Sequence, residues 1–322
     1  MRFDSYLESV VIKNNCFLYS ILLILSLGMY GCEDPKDVIV GWGDSMMKAS
    51  LSKTSILDVI EAELNITTYN FGEGALKSDQ VAVLQGGIPL YLIPNDSSIS
   101  ANSAVALMPI DINPFNSFGT QEYEGTIQEM SGTLERIHSP EDGSLLKHYL
   151  FKRGYSWTEK RVEDTVVFRF EQARKYKESM TLIWVGRNDD KSKNRRERTV
   201  ANIEEMVSAL EGPAKEKFLV LSICNGTSEK EGKGTKAYER ILNVNELLKE
   251  KFQEHYIDVR SYMVQQAIYD MHIDPTPIDL ADMAKDCIPS LFFTDRVHLN
   301  ELGNTAVGKY LANVIQEKGW LD

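Results

Sequence analysis

The sequence has few of the residues that cross-link small secreted domains or hold metal ions. Of its four cysteines, only Cys224 and Cys287 follow residue 32, and two cysteines are too few for a disulfide framework in 322 residues. We interpret them as small buried apolar side chains. No pair of Cys-x-x-Cys motifs and no His-x-x-x-His spacing occurs, so we predict neither a metal ion nor a cofactor.

Positive charge is also scarce. The 35 Lys and Arg residues are outnumbered by 47 Asp and Glu residues, which gives a net charge of −12. Because nucleic-acid binding needs clustered cations, this balance argues against a nucleic-acid partner. The basic run at 191–198 is a local exception. We interpret it as a solvated helix start, and the alternative is a rim that attracts an anionic glycan.

The apolar stretch at residues 17–29 is too short for a membrane span, which needs about 20 residues. It follows Arg2 and Lys13, has the length of a signal-peptide core, and is followed by a Gly-Cys pair that resembles a bacterial lipoprotein cleavage site. We therefore predict that residues 1–32 are a signal peptide or lipoprotein-type anchor, lipidated at Cys32. This predicts an exported protein of the cell envelope that meets a membrane only through its anchor. An uncleaved anchor and plain secretion are the alternatives.

Short runs of apolar, β-branched residues alternate with stretches of helical spacing along most of the chain. Their continuous apolar character is typical of strands that are buried on both faces, as in a parallel sheet. The alternation predicts a doubly wound α/β/α arrangement, in which ligands bind at the carboxyl ends of the strands. The predicted strands lie at 38–42, 66–70, 181–185, 218–223 and 256–259, and the predicted helices at 46–63, 200–210, 236–255 and 305–318.

One interval does not fit this alternation, because more than a hundred residues separate the second predicted strand from the third. Residues 86–172 contain short alternating patterns with many Gly, Pro, Asn and Ser residues, which predict antiparallel strands and turns. We therefore predict a β-rich inserted domain at 86–172 and a main domain formed by 33–85 and 173–322. The alternative, an elaborated surface loop, would leave many apolar residues unburied.

Four short motifs lie at predicted strand ends or in the terminal loop. The first is Gly-Asp-Ser at 43–45, the second Asn-Phe-Gly-Glu-Gly-Ala at 70–75, the third Gly-Arg-Asn-Asp at 186–189, and the fourth Asp-Arg-Val-His at 295–298. A serine hydroxyl is a poor nucleophile unless a nearby base takes its proton. The Asp-x-x-His turn of the fourth motif can provide that base and orient it.

In this order the four motifs resemble the sequence blocks of the SGNH, or GDSL-type, hydrolase superfamily. The resemblance spans residues 38–310 and leaves the predicted insertion unexplained. It implies a flavodoxin-like three-layer α/β/α fold with a parallel sheet, to which the β-rich inserted domain is added. It also implies ester hydrolysis by a serine.

The resemblance implies a role for each motif residue. Ser45 would be the nucleophile, His298 would take its proton and later return one to the leaving alcohol, and Asp295 would orient the imidazole. The oxyanion of the tetrahedral intermediate would be held by the Ser45 backbone N–H, the Asn188 side-chain amide and a backbone N–H of the second motif.

The donor from the second motif has two candidates. In strict register the position that is usually glycine in the family is Ala75. A backbone N–H survives a change from glycine to alanine if the dihedral angles suit alanine. If those angles need a positive φ, the turn would shift so that Gly74 donates instead. We keep both candidates and favour Ala75.

The favoured function is a serine esterase that removes acetyl or other small acyl groups, with an acylated glycan or a small ester as substrate. The predicted export signal motivates a substrate outside the cytoplasm, and the insertion could bind a glycan chain. One alternative is a lipase or thioesterase that acts on longer acyl chains. Another is a non-catalytic glycan-binding protein on the same scaffold.

Overall fold

A computed structural model describes residues 38–100, 103–115, 121–138, 145–155, 158–189 and 194–321. Residues Pro35–Asp322 form one compact unit. The predicted signal segment and Cys32 lie outside the described residues. In the described part of the chain, no helix combines the length and apolar character that crossing a membrane requires.

A parallel sheet lies at the centre of the described chain. Its strands are β1 (Ile39–Gly43), β2 (Thr68–Gly72), β11 (Met180–Trp184), β12 (Phe218–Leu221) and β13 (Tyr256–Ile257), in the spatial order β13-β12-β11-β1-β2. Every neighbouring pair is parallel. Each strand overlaps one of the apolar runs that predicted it. Successive residues of the inner strands pack into apolar clusters on opposite faces of the sheet, which is why these strands appear as continuous apolar runs.

Helices cover both faces of this sheet. Cys224 and Cys287 are buried free thiols in this part of the molecule, as predicted. The α-helices of the described residues are α1 (Ser45–Lys48), α2 (Ile56–Leu64), α3 (Ser78–Gln85), α4 (Glu171–Lys175), α5 (Arg195–Ser208), α6 (Ser228–Glu231), α7 (Lys236–Phe252), α8 (Val259–Gln265), α9 (Ala267–Asp270), α10 (Pro277–Ala284) and α11 (Glu301–Glu317).

A second sheet closes into an antiparallel barrel. Among the described residues its strands are β3 (Leu90–Pro94), β5 (Ala104–Pro109), β6 (Glu122–Ile127), β7 (Met130–His138), β8 (Leu145–Arg153) and β10 (Val166–Phe170), in the order β10-β3-β5-β8-β7-β6. The short strands β4 (Ser98–Ile99) and β9 (Lys160–Arg161) pair beside it. Its interior is aromatic: the rings of Phe168 and Phe170 lie 4.9 Å apart, and Phe115 packs against Tyr149 at 4.7 Å.

The predicted fold class is therefore wrong. The chain is a mixed α/β structure in which a closed barrel stands beside a parallel sheet, and not a flavodoxin-like layer with an inserted domain. One apolar cluster runs without a break from Val40 and Trp42 of the sheet into Leu92 and Phe151 of the barrel. The alternating patterns predicted short strands, but closure depends on β10 pairing with both β3 and β6, which local periodicity does not encode. The predicted domain boundaries stay a prediction.

Candidate active site

Ser45 lies at the carboxyl end of β1, where the chain turns into α1. The Asp44 side chain caps this helix, because its Oδ1 accepts a hydrogen bond from the Met46 N–H at 2.9 Å. The tight turn needs glycine at position 43, since a Cβ there would lie 2.5 Å from that of Met47 and 2.6 Å from the Trp184 carbonyl oxygen. The turn holds Ser45 with 9% of its surface exposed.

His298 and Asp295 lie in a turn that approaches Ser45 from the far end of the chain. Asp295 Oδ1 accepts hydrogen bonds from the backbone N–H groups of Val297 and His298, both at 2.7 Å, and its Oδ2 lies 2.8 Å from His298 Nδ1. On the other side of the ring, His298 Nε2 lies 2.9 Å from Ser45 Oγ. An ionised carboxylate only accepts, so Nδ1 carries the proton and Nε2 accepts from the serine hydroxyl.

The electrostatic setting keeps Asp295 ionised. Burial acts to raise its pKa, but hydrogen bonds from the His298 backbone and ring and from the Val297 N–H outweigh burial and lower the pKa. The side chain is 43% exposed, which limits the burial effect. The carboxylate is therefore available to orient the imidazole and to stabilise its charged form.

Asn188 lies in the third motif, directly after β11. Its side-chain Nδ2 donates to the Leu76 carbonyl oxygen at 3.0 Å, which uses one of the two amide hydrogens and links the third motif to the chain following the second. Gly186 begins this loop with φ +101°, and a Cβ there would lie 2.7 Å from Thr199 Cγ2. Only glycine fits both constraints.

Asp189 anchors the same loop, a role that sequence reasoning did not find. Its carboxylate accepts hydrogen bonds from the Ser78 backbone N–H and from Ser78 Oγ, both at 2.7 Å, and from the Thr199 hydroxyl. Ser78 begins α3 and lies 111 residues away in sequence. The motif contains Asp189, but the sequence does not indicate that its partner is Ser78.

An ion pair and two hydrogen bonds from backbone N–H groups connect the third motif to the fourth by way of the loop at 226–231. Arg187 binds Glu231 through two parallel hydrogen bonds of 2.7 and 3.0 Å. Glu231 also accepts from the Gly226 N–H at 2.6 Å, and the next residue, Thr227, donates its N–H to the Arg296 carbonyl oxygen at 3.0 Å. The loops that carry Asn188 and His298 are thereby held together. No signal in the sequence marked Glu231.

The barrel contacts the second motif. Glu73 Oε2 accepts from Gln121 Nε2, just before β6, at 3.3 Å and from Lys48 Nζ at 2.9 Å. The Glu73 N–H donates to the Gly43 carbonyl oxygen at 3.0 Å, which ties this turn to the end of β1. The barrel therefore lies next to the turn that carries both predicted backbone donors.

Ala75 adopts a left-handed backbone with φ +62°, a conformation that favours glycine. An alanine in this region is strained, because its Cβ crowds the following carbonyl oxygen. Gly74 is not among the residues with positive φ. The structure therefore shows the strain that was expected to favour Gly74, and the choice of donor between the two stays a prediction.

Replacing Ala75 with glycine should stabilise the protein by up to about 1 kcal/mol, because relief of the left-handed strain exceeds the added freedom of the unfolded chain. Urea unfolding would measure this. The matched control is Ala201→Gly at an exposed position of helix α5, which should destabilise by about 1 kcal/mol. If both variants are destabilised alike, the strain at position 75 is absent.

Asp44, the residue before Ser45, has a deeply buried carboxyl group. Its side chain is 1% exposed, and Oδ2 has no hydrogen-bond partner among the described residues. Burial raises the pKa of Asp44 to about 6, although the Met46 N–H and the Arg187 charge oppose this. The folded protein therefore binds a proton at this carboxyl more tightly than the unfolded chain does.

This carboxyl should make stability depend on pH. Because the folded pKa is raised, the contribution is complete below about pH 4 and is lost as pH rises through 6, by roughly 3 kcal/mol in all. Asp44→Asn keeps an oxygen for the Met46 N–H but cannot ionise. It should therefore be more stable than the wild type at pH 8 by about 2–3 kcal/mol, with little difference at pH 4. A gain of equal size at both pH values, in chemical unfolding, would contradict this account.

Comparisons with known proteins assign the chain to no family. No family model matches its sequence. A tail spike protein of Salmonella phage epsilon15 is 23% identical over 291 residues, an alignment that covers 82% of this chain and 26% of that protein. The chain thus spans about a quarter of the length of this relative. A solved structure from Chitinophaga pinensis, described as a possible lipase, is 11% identical with a TM-score of 0.40, covering 88% of this chain and 99% of that one.

Proposed function

We propose that the protein is a serine ester hydrolase of the SGNH type that removes acetyl or other small acyl groups from a carbohydrate. The observation that carries the proposal is the continuous series of hydrogen bonds from Asp295 through His298 to Ser45 Oγ. A serine, an imidazole and a carboxylate in this order can produce an activated nucleophile.

The geometry suits a two-step reaction. As Ser45 Oγ attacks the ester carbonyl carbon, His298 Nε2 takes the hydroxyl proton, and the imidazolium then gives it to the departing alcohol oxygen. Water, activated by the same imidazole, hydrolyses the acyl-serine and releases the carboxylic acid. Asp295 stabilises the imidazolium in both steps.

Three donors would hold the oxyanion: the Ser45 N–H, the second amide hydrogen of Asn188 and one backbone N–H of the second motif. Each such donor is typically worth about 10²–10³ in turnover. The Asn188 side chain is held in position to donate to an oxyanion, because the Leu76 carbonyl oxygen orients its amide and the neighbouring Asp189 fixes the loop on Ser78.

One observation favours a hydrophilic substrate over a long acyl chain. Lys48, the last residue of the serine helix α1, pairs with Glu73 of the second motif at 2.9 Å. Charged side chains therefore lie at the end of this helix, where an acyl chain would need apolar surface. A carbohydrate ester is compatible with this polar setting.

The acyl preference can be tested with p-nitrophenyl acetate and p-nitrophenyl octanoate. We expect kcat/KM for the acetate to exceed that for the octanoate by about tenfold or more. Each buried methylene adds about 0.8 kcal/mol of binding, so an apolar acyl groove would instead give a rate that rises steeply with chain length. Such a rise would replace this proposal with the lipase or thioesterase function.

We also propose, on the sequence alone, that the protein is exported and anchored to the envelope through lipidated Cys32. In a bacterial host, Cys32→Ala should move the protein from the membrane fraction to the soluble fraction. Wild-type protein that stays in the cytoplasm with the mass of the full, unprocessed chain would contradict the proposed export.

A further inference from the structure

The outer face of the barrel carries a polar groove between the β6–β7 strand pair and helix α4. It has a volume of about 450 Å³, within the usual range for small-molecule sites. None of its lining residues belongs to the four motifs. The side chains that define this outer groove are Glu124, Thr126, Ser131, Thr133, Glu171 and Arg174.

Strand alternation explains why these side chains share one surface. Along β6 the exposed or half-exposed residues Glu124 and Thr126 alternate with buried residues that fill the barrel. Their cross-strand partners on β7 are Thr133 and Ser131, so three hydroxyls and a carboxylate form a compact patch. The rim on the α4 side adds a guanidinium and a second carboxylate, which are paired with each other.

The chemistry of this groove matches a carbohydrate. Hydroxyls, carboxylates and a guanidinium can donate to and accept from sugar hydroxyl groups, and the groove lacks the large apolar side chains that an acyl chain or peptide anchor would need. Charges of both signs are present, so the groove does not select strongly for an anion.

An aromatic ring lies next in the chain to the groove. Gly154 lines it and donates its N–H to the Ser131 carbonyl oxygen at 2.9 Å. Tyr155 follows directly and is 73% exposed. An exposed ring one residue along the chain from a glycine that lines the groove provides an apolar face on which a sugar ring can stack.

We propose that the outer groove and Tyr155 bind a carbohydrate chain as a second contact, separate from the acyl ester at Ser45. The inference rests on the proposed function in one respect: the bound glycan would be the polymer that carries the ester. Binding at the groove itself requires no catalysis.

The test is affinity electrophoresis of the full chain against a panel of purified bacterial surface polysaccharides, with Salmonella O-polysaccharide among them. We expect at least one polysaccharide to retard the wild type. Tyr155→Ala should weaken that binding by about five- to tenfold, and Thr133→Val should also weaken it. Tyr91→Ala is the matched control, because this exposed barrel tyrosine lies on β3, outside the groove.

Two outcomes would overturn the proposal: no polysaccharide of the panel retards the wild type, or the groove variants bind as the wild type does. Hydrolysis of p-nitrophenyl acetate should be unchanged in Tyr155→Ala, while acetate release from the retained polysaccharide falls. Groove-dependent binding without any esterase activity would contradict the proposed function but support the glycan site in the groove. Esterase activity with binding that does not depend on the groove would support the proposed function but contradict the glycan site.

Discussion

Replacing Ser45 with alanine should abolish ester hydrolysis while leaving the fold intact. The hydroxyl is the atom that would attack the ester, and no other described side chain lies in its place opposite His298 Nε2. In serine hydrolases, loss of the nucleophile costs about 10⁶ in kcat. The residual rate on p-nitrophenyl acetate should be indistinguishable from that of buffer with an inert protein.

The stability of this variant should change little, because the side chain loses only its bond to a half-exposed imidazole. Ser50→Ala is the matched control: this exposed serine follows the same helix and should keep full activity. If Ser45→Ala retains more than about 1% of wild-type kcat with an unchanged thermal midpoint, Ser45 is not the nucleophile.

Replacing His298 with alanine should cost nearly as much as replacing Ser45, because a serine hydroxyl without a base is a weak nucleophile. The two residues act as one unit, so the double variant should be no slower than either single variant. Steady-state kinetics on p-nitrophenyl acetate would measure all three. Losses that multiply in the double variant would mean that the two side chains act independently.

His272→Asn provides the control for this series. His272 is exposed and has φ +55°, a backbone conformation that asparagine tolerates well. The variant should therefore fold normally and keep wild-type activity. A large loss at position 272 would indicate that the base has been placed at the wrong histidine.

The sequence allowed prediction of those features that depend on local pattern. The inner strands β1, β11 and β12 are buried on both faces, so each appears as a continuous apolar run, and the residues that follow them are brought to one edge. The first three motifs could therefore be assigned to one site from their positions at strand ends, whereas the fourth, in the terminal loop, was assigned to it from the family resemblance. The structure links Asp295, His298 and Ser45 by hydrogen bonds, and their catalytic roles stay a prediction.

Features that depend on distant pairing could not be predicted. The barrel strands show alternation, as in β6, but nothing in a single strand specifies which others it joins or that the sheet closes. The bond of Asp189 to Ser78 and the pairing of Arg187 with Glu231 likewise join residues with no shared local pattern. The positive φ of Ala75 was open from sequence, because alanine adopts this conformation only when its surroundings impose it.

The most direct test of the central claim is covalent labelling with a fluorophosphonate probe, followed by peptide mass spectrometry. We predict a single adduct on Ser45 in the wild type, which is lost in Ser45→Ala and strongly slowed in His298→Ala, since phosphonylation needs the same activated hydroxyl. A folded wild-type protein that takes up no probe, or that carries the adduct on a different residue, would contradict it.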